Sequence, residues 1–160
     1  MTAGPHPGYT ALGVADLGGT RAKEALDRVG WPKERYQATD PDNALANGTT
    51  WITEDADALI EANGIEVIID ATGSPAAGIR YGLKAIEYGR HLVMVNVEAD
   101  VLAGPLLAHK AEQAGLVYSM AYGDQPALIS EMVDWARAVG LDVICAGKGT
   151  KYLPAYHHVT

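Results

Sequence analysis

One cysteine, Cys145, is all the sequence holds, so no internal disulfide can form. No stretch is apolar for the roughly 20 residues that a membrane helix needs. The first ten residues, MTAGPHPGYT, have neither the basic start nor the apolar run of a secretory signal. The simplest location on these grounds is the cytoplasm. Positive charge is also scarce: 12 lysines and arginines stand against 20 aspartates and glutamates, for a net charge of −8. A partner with a phosphate backbone or an anionic lipid surface demands clustered basic residues. Here the basic residues are scattered in pairs at most, Lys148 with Lys151 among them, so neither nucleic acid nor membrane is expected as a partner. Two lysines can still hold one small anionic substrate, and self-association is left open. The most informative absence is a G-x-G-x-x-G turn between a strand and a helix, the turn that cradles a dinucleotide pyrophosphate.

What is present fits one domain rather than two in 160 residues. Gly30, Gly64, Gly89, Gly115 and Gly140 each close a helical pattern, and most stand just before an apolar run. Glycine suits the left-handed turn that ends a helix. The surrounding sequences are unrelated, so the rhythm is that of alternating strand and helix. Strands are expected at 10–16, 49–53, 67–72, 91–96, 116–122 and 142–147. The last four are near-continuous apolar runs, as in parallel strands covered on both faces. On this reading Cys145 is a buried strand residue. Helices are expected at 21–29, 54–62, 76–88, 105–114 and 127–139, with Pro75, Pro105 and Pro126 in or near their first turns. The polar stretch from Trp31 to Gly48 reads as an irregular connection with a helical turn at 41–46. The fold class is therefore α/β, a Rossmann-like doubly wound and mainly parallel sheet. Its first identifiable strand corresponds to the second of the usual order 3-2-1-4-5-6. Nine residues before that strand, including Pro5 and Pro7, cannot supply both a strand and a helix. The usual first strand and its glycine loop are expected to be missing, and residues 1–160 to form a partial dinucleotide-binding domain.

Candidate chemistry collects at the carboxyl ends of the expected strands, where open α/β sheets bind ligands. Asp16 ends the first strand; a carboxylate there accepts hydrogen bonds from adenosine ribose hydroxyls, or else caps the next helix. It disfavours a 2′-phosphate, an effect that nearby Arg21 offsets. In DATGSPAAG, Gly73 permits close backbone approach and Ser74 with the helix amino end offers donors; the same features suit an ordinary turn. In VNVEAD, Asn96 can hold a nicotinamide or substrate oxygen. Glu98 is a general acid or base if burial raises its pKa, and otherwise a solvated first-turn residue. Gln125 lies in the polar turn AYGDQPAL. Lys148, between two glycines in AGKGTKY, can polarise a carbonyl or bind an anion, with Lys151 assisting, or can be a plain surface lysine. His157 and His158 are adjacent and on a strand would point to opposite faces, so no metal site is expected.

Together the segments GVADL, GTTWITEDADALIE, DATGSPAAG, VMVNVEADVLAGPLL, YSMAYGDQPALI and AGKGTKYLP resemble homoserine-dehydrogenase-like oxidoreductases. The closer resemblance is to the 1-deoxy-D-xylulose 5-phosphate reductoisomerase-like group that carries a SAF domain. It covers nearly all of residues 10–154. The resemblance implies NAD- or NADP-dependent chemistry on a small, phosphorylated or unphosphorylated carbonyl or hydroxyl substrate. Catalytic roles then fall to Lys148 and Glu98, cofactor contacts to Asp16, Gly73, Ser74 and Asn96, and substrate contacts to Gln125 and Lys151. It also implies a longer protein, with a glycine loop upstream and further regions downstream of which 152–160 is the start. Homoserine dehydrogenases have an asparagine-lysine pair where this chain has Asn96, Val97 and Glu98, a departure that counts against homoserine as substrate. Two alternatives stand beside this reading: a homoserine dehydrogenase, and a non-catalytic nucleotide-binding module.

Overall fold

The computed structural model describes residues 10–148, and the chain divides after Ser119 into two compact units. The first unit alternates short strands and helices: β1 (Gly13–Ala15), α1 (Gly19–Arg28), a 3-10 turn (Lys33–Tyr36), α2 (Pro41–Asn47), β2 (Trp51–Thr53), α3 (Ala56–Glu61), β3 (Val67–Asp70), α4 (Pro75–Glu87), β4 (His91–Met94), α5 (Val97–Gln113) and β5 (Tyr118–Met120), the last at the boundary. The second contains α6 (Gln125–Ala138).

Both defined strand pairings are parallel. Val14 lies opposite Ile52 in β1 and β2, and Val67 and Asp70 lie opposite His91 and Met94 in β3 and β4. The strands form two sheets, β1-β2 and β3-β4-β5. In the doubly wound order 3-2-1-4-5-6 these are strands 3-2 and strands 4-5-6, with the central one lacking among the described residues. The fold is Rossmann-like α/β, as the sequence rhythm predicts.

The core lies between β3-β4 and the helices α3, α4 and α5. Ile60, Ala85, Leu92, Met94, Ala99 and Leu107 form one buried cluster. Two glycines one turn apart on α4, Gly78 and Gly82, let the neighbouring groups approach closely. A methyl at Gly82 would stand 3.1 Å from Leu92 and 3.2 Å from Leu107. Arg90, just before β4, ties down the end of α3: its guanidinium donates to the carbonyls of Ile60 (3.3 Å), Ala62 (2.9 Å) and Ile65 (2.6 Å). On the outer side Asp57 of α3 pairs with Arg80 and Lys84 of α4, and Lys84 also reaches Glu61. Such exposed pairs contribute little each, of the order of 0–1 kcal/mol, so burial of the cluster decides how α3 sits on α4.

Three sequence expectations need correction. The run 142–147 is not a strand, and Cys145 is exposed rather than buried. A strand requires a neighbour's backbone edge, and among the described residues none pairs with it. The helix expected from Pro105 begins instead at Val97 and runs through that proline. Asn96 supplies the start, because its side-chain oxygen accepts from Ala99 N, and Glu98 and Asp100 suit the positive end of the helix dipole. Proline in a helix interior frees the carbonyl four residues back. That carbonyl belongs to Val101, which is exposed and so open to water. The third correction is to the connection 31–48, which is more regular than its composition suggests. Its expected helical turn is α2, capped by Asp40 on Asn43 N at 2.7 Å and closed by left-handed Gly48.

In the same connection the buried Tyr36 hydroxyl donates to the Asp27 carboxylate. That bond, with burial, pushes the phenol up to about 12. A group whose folded pKa is raised contributes fully below its unfolded value, about 10 for tyrosine, and the contribution disappears as pH rises through the folded value. Urea unfolding from about pH 9 to about pH 12 is expected to show a steeper loss for the natural chain than for Tyr36→Phe. Equal slopes would remove Asp27 as the cause.

Candidate functional site

Asp16, Thr72 and Asn96 each follow the carboxyl end of a strand, β1, β3 and β4 respectively. The sequence placed them so because an apolar run that ends in a polar residue and a helix start marks that end of a parallel strand.

At β3 and β4 the polar groups form one network. Asp70, the last residue of β3, is 3% exposed and Asn96 is 2% exposed. Asp70 Oδ1 accepts from Thr72 N at 3.1 Å and from Thr72 Oγ1 at 3.0 Å. Asn96 Nδ2 donates to Ser74 O at 2.8 Å, with longer contacts to Thr72 Oγ1 (3.2 Å) and Asp70 Oδ1 (3.4 Å). Ser74 caps α4 through Ala77 N, and Asn96 caps α5 through Ala99 N. One buried amide therefore holds the amino ends of two helices beside each other, a place where backbone N–H groups and helix dipoles favour an anion. Asp70 Oδ2 is buried with no hydrogen-bond partner among the described residues.

Gly73 stands in the turn between β3 and α4 at φ +68°, a conformation that side-chain-bearing residues rarely adopt, with no atom within 4 Å of where a Cβ would be. The turn is thus open above and rigid below. Ser74 is exposed. Asn96, assigned from sequence to the ligand, has its amide spent on the protein; it shapes the edge.

At β1, Asp16 Oδ1 accepts from Gly18 N at 2.8 Å and from Arg21 Nη2 and Nε at 2.6 and 3.2 Å. The Arg21 guanidinium, then the Gly18 N–H, hold the Asp16 carboxyl below the usual carboxylate range. Gly19 N, at the start of α1, donates to Glu54 Oε1 at 3.1 Å.

Glu98 is exposed in the first turn of α5. In the second unit, Asp124 caps α6 on Gln125 N at 2.8 Å and Gln125 is exposed. Lys148 is exposed. Lys151 and the tail 152–160 lie outside the described residues. Among the described residues no three His, Cys, Asp or Glu side chains gather to hold a metal ion, and no helix is long and apolar enough to cross a membrane. Asp70 was not singled out from sequence. The available signal was an acid two positions after Ile68, on the same face of an otherwise apolar strand.

The fold and its carboxyl-edge polar network define the Rossmann-like α/β class. Residues 123–160 match the family described as oxidoreductase DRL, catalytic domain. That segment contains Gln125, Lys148 and Lys151 but none of the first-unit candidates. An NAD binding oxidoreductase from Klebsiella pneumoniae has a similar fold, with a TM-score of 0.52, 14% identity, and coverage of 80% of this chain and 29% of that one. A provisionally named oxidoreductase, yvaA from Bacillus subtilis, aligns with a TM-score of 0.45 and 16% identity over 78% of this chain and 39% of that one. The chain thus spans well under half the length of these proteins. No curated protein matches the sequence.

Proposed function

We propose that the chain is part of an NAD- or NADP-dependent oxidoreductase, with its first unit supplying the adenosine and nicotinamide sides of a dinucleotide site. One observation carries this reading: the Asp70–Thr72–Ser74–Asn96 network joins two helix amino ends under the open Gly73 turn, at the carboxyl edge of a Rossmann-like sheet. The donor set fits the two ends of such a cofactor. Asp16, partly exposed beside Arg21, suits ribose hydroxyls and leaves both NAD and NADP admissible. Gly73 and Ser74 offer space and a donor beside the nicotinamide end, while Asn96 holds them in place. When bound, the cofactor supplies hydride chemistry, and the protein supplies position and charge.

Roles for the other candidates rest on the sequence and on the catalytic-domain match of residues 123–160. Lys148 polarises a carbonyl or neutralises an anion on the substrate, and Gln125 and Lys151 contact it. Glu98, exposed, serves as acid or base only once substrate covers it. The substrate class is a small carbonyl or hydroxyl compound, with or without a phosphate. A soluble setting in the cytoplasm and a self-associating form belong to the same proposal.

Calorimetric titration with NAD and NADP tests it. The 160-residue chain alone is expected to bind weakly, because among the described residues no glycine-rich turn cradles a pyrophosphate. Asp16→Ala is expected to weaken binding roughly tenfold further, the worth of one charge-assisted hydrogen-bonding group. Low-micromolar binding by this chain would show that another segment holds the phosphates. Indifference of either cofactor to Asp16→Ala would remove the adenosine assignment.

A further inference from the structure

The amino end of α1 is supplied with negative charge from outside the helix. Its cap residue is Gly18, which has no side chain to accept a hydrogen bond, and its first turn holds no acidic residue. A helix amino end leaves N–H groups without partners and attracts anions. Here the anions arrive from the ends of two strands. Ala15 stands opposite Thr53, and Asp16 N donates to Thr53 O. Asp16 and Glu54 are therefore the next pair, just past the carboxyl ends of β1 and β2. Partners in a parallel pair turn their side chains to the same face. Both acids accordingly reach α1: Gly18 N donates to Asp16 Oδ1 at 2.8 Å, and Gly19 N to Glu54 Oε1 at 3.1 Å.

The two carboxylates are placed differently for a ligand. Asp16 spends Oδ1 on Gly18 and Arg21, while its Oδ2 has no hydrogen-bond partner among the described residues and the side chain is 29% exposed. That oxygen is open to ribose hydroxyls. Glu54 is exposed, and its bond reaches across 35 positions of sequence. Its acidic neighbours are spent on local structure, Asp55 capping α3 on Ala58 N and Asp57 pairing with Arg80 and Lys84. Glu54 alone turns across to α1, where it fills the place at a helix entry that a phosphate takes. Arg21, expected to offset an acid here, gives its Nε and Nη2 to Asp16 itself. Asp16, Glu54 and Arg21 sum to one net negative charge.

We propose that Glu54 sets the choice between NAD and NADP: its carboxylate holds the α1 entry beside Asp16 against a 2′-phosphate and so selects the unphosphorylated ribose. The proposal deepens the dinucleotide reading and rests on it. A 2′-phosphate carries close to two negative charges. It would have to displace Glu54 from Gly19 N and then remain beside it, whereas free ribose hydroxyls need only Asp16 Oδ2. Like charges a few ångströms apart at a protein surface weaken binding by a factor of about five or more.

Amide-resolved NMR of the 160-residue chain, titrated with adenosine and with adenosine 2′-phosphate, tests this at the adenosine end alone, with no pyrophosphate involved. The natural chain is expected to prefer adenosine, with the Gly18 and Gly19 amide signals shifting. Glu54→Gln keeps an oxygen for Gly19 N and removes the charge; it is expected to narrow that preference by about fivefold or more. Glu112→Gln, at the far end of α5, is expected to leave the preference as it was. An unchanged preference in Glu54→Gln, with both compounds still shifting Gly18 and Gly19, overturns the inference and leaves the dinucleotide reading standing. A natural chain that prefers the 2′-phosphate overturns it too, as does an equal narrowing by Glu112→Gln, since overall charge alone would then be responsible. If neither compound shifts those amides, the adenosine assignment falls and takes the inference with it.

Discussion

Replacing Asn96 by aspartate is expected to destabilise the first unit by about 3 kcal/mol or more at neutral pH, the usual cost of an uncompensated buried charge. The amide nitrogen gives its protons to Ser74 O, Thr72 Oγ1 and Asp70 Oδ1, while its oxygen is fixed by Ala99 N. An ionised carboxylate of the same shape would set an oxygen against the Ser74 carbonyl and a second negative charge beside Asp70. Flipping gives no relief, because the capping oxygen must stay where it is. Protonation does give relief, since a carboxylic acid can donate to Ser74 O. The new pair would share a proton at a pH above the ordinary carboxylate range, so the lost stability should return as pH falls through that raised value. Urea unfolding at neutral pH and near pH 4.5 would show it as a loss against the natural chain that shrinks in acid. A loss independent of pH would mean that Asp70 and position 96 do not interact as the distances indicate.

Gly78→Ala is the second large effect expected. Alanine is favoured over glycine within a helix by about 1 kcal/mol, so an open site in α4 would be stabilised. At Gly78 the added methyl would stand 2.7 Å from Asn96 Nδ2 and 2.8 Å from Ala99 Cβ. Neither can yield, one being fixed by its hydrogen bonds and the other being part of the α5 backbone frame. Forcing a methyl into packed surroundings costs about 1–3 kcal/mol, and the Asn96 cap is lost as well. The net expectation is a loss of about 2 kcal/mol, against a change within about 1 kcal/mol for Gly82→Ala, whose neighbours are flexible leucine ends. A stabilising Gly78→Ala would show that the two helices stand further apart.

The sequence carries the strand and helix order because a parallel strand needs apolar groups on both faces, and a glycine or capping residue marks each return. VIID and HLVM are legible in that way. The start of α5 was misplaced because Gly104-Pro105 is also a common helix opening, and nothing local reveals that Val101 leaves its carbonyl in water. The run DVICAG misled for a different reason: apolarity shows that a segment can be buried, while a strand also requires a partner edge elsewhere. At the site, Asp16 and Ser74 were visible as residues that end a strand or begin a helix. Asn96 was found, but its bonds to Ser74 O and Asp70 were not legible, since those partners stand 22 to 26 positions away. Asp70 was hidden by its strand.

The Arg90 clamp has a bearing on synthesis. Helix α3 has six residues, too few to persist alone in water, and its terminal carbonyls find their donor in a side chain up to 30 positions later. As the chain leaves the ribosome, α3 cannot settle until Arg90 has emerged, and by then β3 and all of α4 are already outside. The middle of the first unit must therefore form in one event, and a pause in translation before that arginine would leave the apolar surface of Ile60 waiting for its cover.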